Sequence, residues 1–100
     1  MPFDRVEDAI NDIREGRLVI VADDEDRENE GDLVCAAAKI TPELVNFMTL
    51  HARGLICVPI EAERADELRL PLMTEQNQEH HGSAFTICVD GHQRFGVTTG

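Results

Sequence analysis

Asp23-Asp24-Glu25-Asp26-Arg27-Glu28-Asn29-Glu30-Gly31-Asp32 stands between two apolar runs, Leu18-Val19-Ile20-Val21-Ala22 and Leu33-Val34-Cys35-Ala36-Ala37. How this decapeptide is read decides the fold. It holds seven of the twenty acidic residues and one arginine, so its net charge of −6 is more than half of the chain's −11. Carboxylates this close repel one another and require solvent, counter-ions or a specific arrangement. A solvated acidic loop meets that requirement, and so does a metal and substrate site, because hard divalent cations take carboxylate oxygens and phosphate takes arginine. The flanking runs read as buried strands, so the loop is anchored on a rigid scaffold of the kind that carries binding residues. Arg27 in the middle of the acids and Gly31 at their end point to a folded loop, glycine permitting positive φ or close backbone approach.

Outward from the loop, residues 4–15 read as an amphipathic helix with Val6, Ala9, Ile10 and Ile13 on one stripe, Asp4 and Glu7 spaced as a capping box, and Gly16 as the stop. Residues 18–22 form a strand apolar on both faces, and 33–38 a second strand that the short connection allows to run antiparallel. Thr41-Pro42 gives an N-cap and a first-turn proline for a helix with Leu44, Phe47, Met48 and His51 on its inner face and its stop at Gly54. A third apolar strand is expected over 55–60, with Pro59 at its end or at an edge, and a third helix over 62–70, Ala65 and Leu68 inward, ended by Pro71. Residues 73–83 read as a long polar loop suited to covering a substrate, and 84–90 as the clearest alternating strand. The expected architecture is α/β of the α+β type, a mixed sheet layered with helices in the order αββαβα-loop-β, within one domain over residues 1–100.

Composition narrows the partners. A net charge of −11 argues against nucleic acid or an anionic membrane surface, since phosphate backbones demand a basic footprint. Cys35, Cys57 and Cys88 are widely spaced within apolar runs, which suits reduced, buried thiols. No signal peptide opens the chain and no apolar run reaches the ~20 residues of a membrane span, so a cytoplasmic protein is expected. With four Phe and no Trp or Tyr, the core must rest on aliphatic side chains.

The order Asp-Asp-Glu-Asp-Arg-Glu-Asn-Glu-Gly-Asp after a short β-branched strand resembles the signature of the 3,4-dihydroxy-2-butanone 4-phosphate synthase family of riboflavin biosynthesis. His51-Ala52-Arg53-Gly54-Leu55-Ile56-Cys57, Leu70-Pro71-Leu72-Met73, Gly82-Ser83-Ala84-Phe85-Thr86 and Gly96-Val97-Thr98-Thr99-Gly100 agree with it. The resemblance implies conversion of D-ribulose 5-phosphate to L-3,4-dihydroxybutan-2-one 4-phosphate and formate with Mg2+ or Mn2+, in a homodimer. It makes Glu28 the metal ligand and places Arg27, Glu28 and Asp32 on the sugar phosphate. Family members continue into a second half holding a histidine ligand in Gly-His-Thr and a catalytic glutamate, so residues 1–100 alone are expected to be inactive.

Beside the resemblance, Glu30 and Asp23 are candidate acid or base groups, and crowding should spread the carboxylate pKa values apart. Cys57 is either a thiol in the active-site wall or a small buried hydrophobe. Thr98 and Thr99 either offer hydroxyls and amides to a phosphate or form a polar turn. His80 and His81, adjacent in an extended segment, point oppositely and make a poor metal pair; His51 reads as a packing residue. An EF-hand reading, with Asp26, Glu28, Glu30 and Gly31 at its first positions, fails because Ala37 stands where the bidentate glutamate belongs. The remaining alternative is a non-catalytic acidic module that binds divalent cations or protein.

Overall fold

The structure is a computed structural model that describes residues 3–74 and 84–90. The chain groups into two compact units, Met1–Val58 and Pro59–Gly100. The first contains helix α1 (Val6–Arg14), strands β1 (Val19–Ala22) and β2 (Gly31–Val34), a single 3-10 turn (Ala37–Lys39) and helix α2 (Pro42–His51). The second contains helix α3 (Ala62–Glu67).

Helix α1 starts one residue later than a capping box at Asp4 and Glu7 requires. Arg5 is the N-cap, without a side-chain hydrogen bond, and its carbonyl accepts from Asp8 and Ala9 at 3.1 and 3.2 Å. The stop is as expected. Gly16 adopts φ 82°, and the Gly16 and Arg17 amides donate to the carbonyls of Ile13 and Asp12 at 3.0 and 2.8 Å, the paired bonds of a Schellman motif. Arg17 then clamps the turn through Asp12 and Glu15 at 2.7 and 2.5 Å. Of the predicted stripe, Ala9 and Ile13 are half-buried while Val6 and Ile10 face solvent.

Strands β1 and β2 pair antiparallel, Val19 opposite Val34, Ile20 opposite Leu33, Val21 opposite Asp32 and Ala22 opposite Gly31. The second strand is thus two residues early relative to the 33–38 expected, because pairing begins directly at the loop's end and chain geometry turns 3-10 at Ala37. The apolar run Val19-Ile20-Val21 predicts cover on both faces. Instead Ile20 is 73% and Val21 51% exposed, on opposite faces of a two-stranded ladder.

Helix α2 begins as its sequence dictates. The Thr41 hydroxyl accepts from the Leu44 amide at 3.1 Å, and Pro42 occupies the first turn, where no amide is needed. The helix ends at His51, before Gly54: Ala52 and Arg53 both donate to the Met48 carbonyl, and Arg53 itself takes the left-handed conformation at φ 54°. Leu44 and Met48 are half-buried, whereas Phe47 and His51 are exposed and lie ring against ring at 4.4 Å.

Two expected strands are corrected. Residues 55–60 form no strand among the described residues, and Leu55, Ile56 and Val58 are exposed without a ladder to join. Residues 84–90 make a single antiparallel bridge, Thr86 with Leu72, flanked by Met73 to Phe85 and Ile87 to Pro71 hydrogen bonds at 2.9 and 3.0 Å. Helix α3 closes at Glu67, three residues short of the position Pro71 suggests. Arg69 at φ 57° and Leu70 donate to Asp66 and Ala65, a Schellman ending that precedes the proline. Leu68, expected inward, is 48% exposed.

Among the described residues none is fully buried, and no helix is long and apolar enough to cross a membrane. With little core to over-determine them, the helices lean on their caps. Thr41→Ala is expected to cost α2 about 1 kcal/mol, seen as faster hydrogen exchange at the Leu44 and Val45 amides, and Thr41→Ser should restore it.

Candidate functional site

The decapeptide joins β1 to β2 as a hydrogen-bonded loop. The Asp23 amide donates to the Glu30 carbonyl at 3.0 Å, extending the ladder by one rung. Inside it, Arg27 and Asn29 donate their amides to the Asp24 carbonyl at 3.1 and 3.2 Å, which winds residues 24–29 into a tight turn. Asn29 takes φ 52°, a conformation that asparagine tolerates better than most residues. The positive φ that Gly31 could have supplied therefore falls on Asn29. Gly31 serves close approach instead: a Cβ there would lie 3.3 Å from Ile20 Cγ2.

One carboxylate sits at the centre. Asp23 Oδ1 accepts the Asp24 amide at 2.6 Å, and Oδ2 accepts both the Glu28 amide at 3.0 Å and Arg27 Nη1 at 2.8 Å. Its side chain is 19% exposed, the least of this group. Desolvation pushes the Asp23 carboxyl up, but the Glu28 and Asp24 amides and the Arg27 guanidinium together outweigh it, leaving the group below the ordinary value of 3.8. It is ionised at neutral pH. Arg27 continues through Nη2 to Glu28 Oε1 at 3.0 Å, so a single guanidinium links two carboxylates. That arrangement answers the repulsion problem of the sequence.

The site residues named from sequence are thus only partly assembled. Asp23, Arg27 and Glu28 are in direct contact, and Glu30 joins them through its backbone carbonyl. Asp32 pairs with Val21 and so occupies the opposite face of the ladder from Ile20 and Leu33. An open cleft of about 460 Å³ is lined by Ile20, Gly31, Asp32 and Leu33 of the hairpin and by Phe47, His51 and Ala52 at the end of α2, so Asp32 borders it despite its position in the ladder. Cys57 is exposed, its Sγ 4.0 Å from the Leu55 carbonyl. All three cysteines are free thiols, but Cys57 and Cys88 are exposed and Cys35 half-buried, where burial was expected. Thr98, Thr99, His80, His81 and His92 lie outside the described residues. Among the described residues no three His, Cys, Asp or Glu side chains converge to enclose a metal ion.

The sequence marks Asp23, with Glu30, as a candidate acid or base, and its place as the loop's acceptor comes from the fold. The available signal was position: an aspartate at the first turn residue after a strand is suited to capture amides further along the chain. Because Asn29 carries the left-handed residue of the turn, Asn29→Gly should leave urea stability nearly unchanged. Asn29→Val should cost roughly 1–2 kcal/mol. Equal stability of the two variants would show that the turn does not depend on that conformation.

The family model for 3,4-dihydroxy-2-butanone 4-phosphate synthase matches residues 7–100. The chain is 53% identical over 98 residues to the riboflavin biosynthesis protein RibBA of Synechocystis sp., an alignment covering 98% of this chain and 18% of that protein. It is 48% identical over 100 residues to the 3,4-dihydroxy-2-butanone 4-phosphate synthase of Pseudomonas aeruginosa, covering 100% of this chain and 27% of that protein. A crystal structure of 3,4-dihydroxy-2-butanone 4-phosphate synthase in complex with two magnesium ions superposes with a TM-score of 0.80 at 44% identity, over 85% of this chain and 39% of that one. The chain therefore spans well under half the length of these proteins. Sharing about half its residues with them, and matched by the family model from the first turn of α1 onward, the chain belongs to the 3,4-dihydroxy-2-butanone 4-phosphate synthase family.

Proposed function

We propose that this chain carries the acidic substrate and metal loop of a lyase that converts D-ribulose 5-phosphate to L-3,4-dihydroxybutan-2-one 4-phosphate and formate, toward riboflavin. The observation that carries the reading is the Asp23–Arg27–Glu28 constellation, an ordered arginine and a half-buried carboxylate held side by side at the end of a β-hairpin, in a chain that family membership ties to this chemistry. The alternative, a non-catalytic acidic module, accounts for the charge but not for a loop whose arginine is built into its centre.

The donor chemistry fits Mg2+ or Mn2+. Magnesium takes oxygen ligands and commonly only one or two carboxylates, the rest being waters and substrate oxygens, so a single protein carboxylate in this loop is compatible. Glu28 would hold the ion, and a relative bound to two magnesium ions supports a divalent metal in the family. When bound, the cation would act as a Lewis acid on the oxyanion that develops beside the carbonyl.

The remaining work belongs to the chain. Arg27, whose guanidinium is held by Asp23 and Glu28 through Nη1 and Nη2, brings a planar, forked cation to the oxygens of a sugar phosphate, and Asp32 hydrogen-bonds substrate hydroxyls. Glu30, next to the ladder-closing bond, is the carboxylate for proton transfer. Cys57 forms part of the wall, and Thr98 and Thr99 offer hydroxyls to the phosphate. The protein acts in the cytoplasm as a homodimer, and its acidity keeps it from nucleic acid and anionic membranes.

The test is formate release from D-ribulose 5-phosphate by the intact protein, with Mg2+ and after chelation. Release that depends on the metal is expected, and metal binding without turnover would favour the non-catalytic module. Glu28→Gln should weaken Mg2+ binding measured by calorimetry, and an unchanged affinity would remove Glu28 from the site. Arg27→Lys forfeits the fork and should raise KM roughly 10–100-fold, the loss of one charge-assisted hydrogen bond. Wild-type kinetics with a sharply lower Tm would instead make Arg27 a structural ion-pair residue.

A further inference from the structure

We propose that Asp23 is the positioning residue of this site, aiming Arg27 and Glu28 at the sugar phosphate and its metal rather than moving protons itself. The inference rests on the function proposed above and concerns how that site is kept in order.

A group that exchanges protons with substrate needs an oxygen within hydrogen-bond reach of the reacting atom. Both Asp23 oxygens are instead turned into the loop, Oδ1 onto the Asp24 amide and Oδ2 onto the Glu28 amide and Arg27 Nη1. The two bonds to Oδ2 are the informative ones. Through the Glu28 amide, Asp23 fixes the backbone from which the Glu28 carboxylate projects, immediately before the left-handed Asn29. Through Nη1 it orients one edge of the guanidinium, whose other nitrogen meets Glu28 Oε1.

Asp23 thereby controls the backbone of one recognition residue and the side chain of the other. Its own amide is bonded to the Glu30 carbonyl, so the anchor belongs to the last rung of the hairpin. Partners that orient a ligand rather than contact the reaction typically contribute 10–100-fold to metal affinity or activity. Asparagine keeps one oxygen, which can accept from only one of the two amides, and loses the charge facing Arg27, while alanine loses everything. The two variants therefore separate orientation from proton transfer.

The experiment uses the intact protein with Asp23→Asn and Asp23→Ala, D-ribulose 5-phosphate and Mg2+ as probes, and backbone amide spectra of the metal-free protein. The expected result for Asp23→Ala is displaced Glu28 and Asp24 amide resonances without metal, with Mg2+ affinity and KM each weakened about 10–100-fold. Asp23→Asn, with one oxygen left, should recover one of the two amide positions and part of both affinities. A fall in kcat alone, equal in the two variants, with KM and Mg2+ affinity unchanged, overturns the proposal and returns Asp23 to proton transfer. Unmoved Glu28 and Asp24 amides in Asp23→Ala overturn it as well. The metal-free spectra and Mg2+ binding do not depend on turnover, so a protein that releases no formate sinks the proposed function while still deciding what Asp23 does.

Discussion

The loop depends on one desolvated carboxylate. Asp23 takes three donors at 2.6 to 3.0 Å, and each hydrogen bond to a charged acceptor in a partly sheltered place is stronger than an ordinary one. Six further acids follow within nine residues, a density that would otherwise splay the turn. Two devices prevent this: Arg27 is shared between Asp23 and Glu28, and backbone amides turn inward onto the first acid while the Asp24 carbonyl gathers those of Arg27 and Asn29. What is left outward is a field of oxygen donors on an ordered backbone, the chemical requirement for holding a hard cation beside a phosphorylated sugar.

The hairpin beneath the loop is unusual in what it leaves uncovered. Two-stranded sheets are marginal alone, and stability in such an element comes from a covered face. Here Ile20 and Val21 project to opposite sides and both meet solvent, while Phe47 and His51 stand across an open cleft from Ile20 and Leu33. Local bonds take up part of the deficit. Schellman endings close α1 and α3, a threonine cap opens α2, and the Arg17 ion pairs fasten the turn into β1. Such features act within a few residues and give order without much burial, though exposed ion pairs of this kind contribute little each.

The proposed function and the fold meet at the end of this hairpin. The ladder sets where the loop starts and stops, since Asp23 and Glu30 bond directly across it. A one-residue slip of β2 against β1 would turn Asp32 to the face that Ile20 now occupies. At the point where loop becomes strand, a Cβ on Gly31 would press on Ile20 Cγ2 at 3.3 Å.

Much of this was legible in the order of residues alone. Glycine after α1, Thr41-Pro42 before α2, the two apolar runs and the acidic decapeptide each carry a local signal that physical chemistry reads without neighbours. Arg27 stands out because a lone cation set amid seven acids must pair with some of them and so orders the loop around itself, whereas Glu28 is singled out only by the family resemblance. What the sequence could not state is which partner each group finds. Helix ends at Arg53 and Arg69 use left-handed non-glycine residues that no propensity announces, and residues 55–60 have strand-like composition but join no ladder among the described residues. Alternation promises a strand at 84–90, yet among the described residues only Thr86 meets Leu72, because pairing is a property of two segments and composition describes one. Asp23 shows the same division most plainly: seven carboxylates look alike in sequence, and only the folded turn decides which of them faces inward to receive amides and which remain for a ligand.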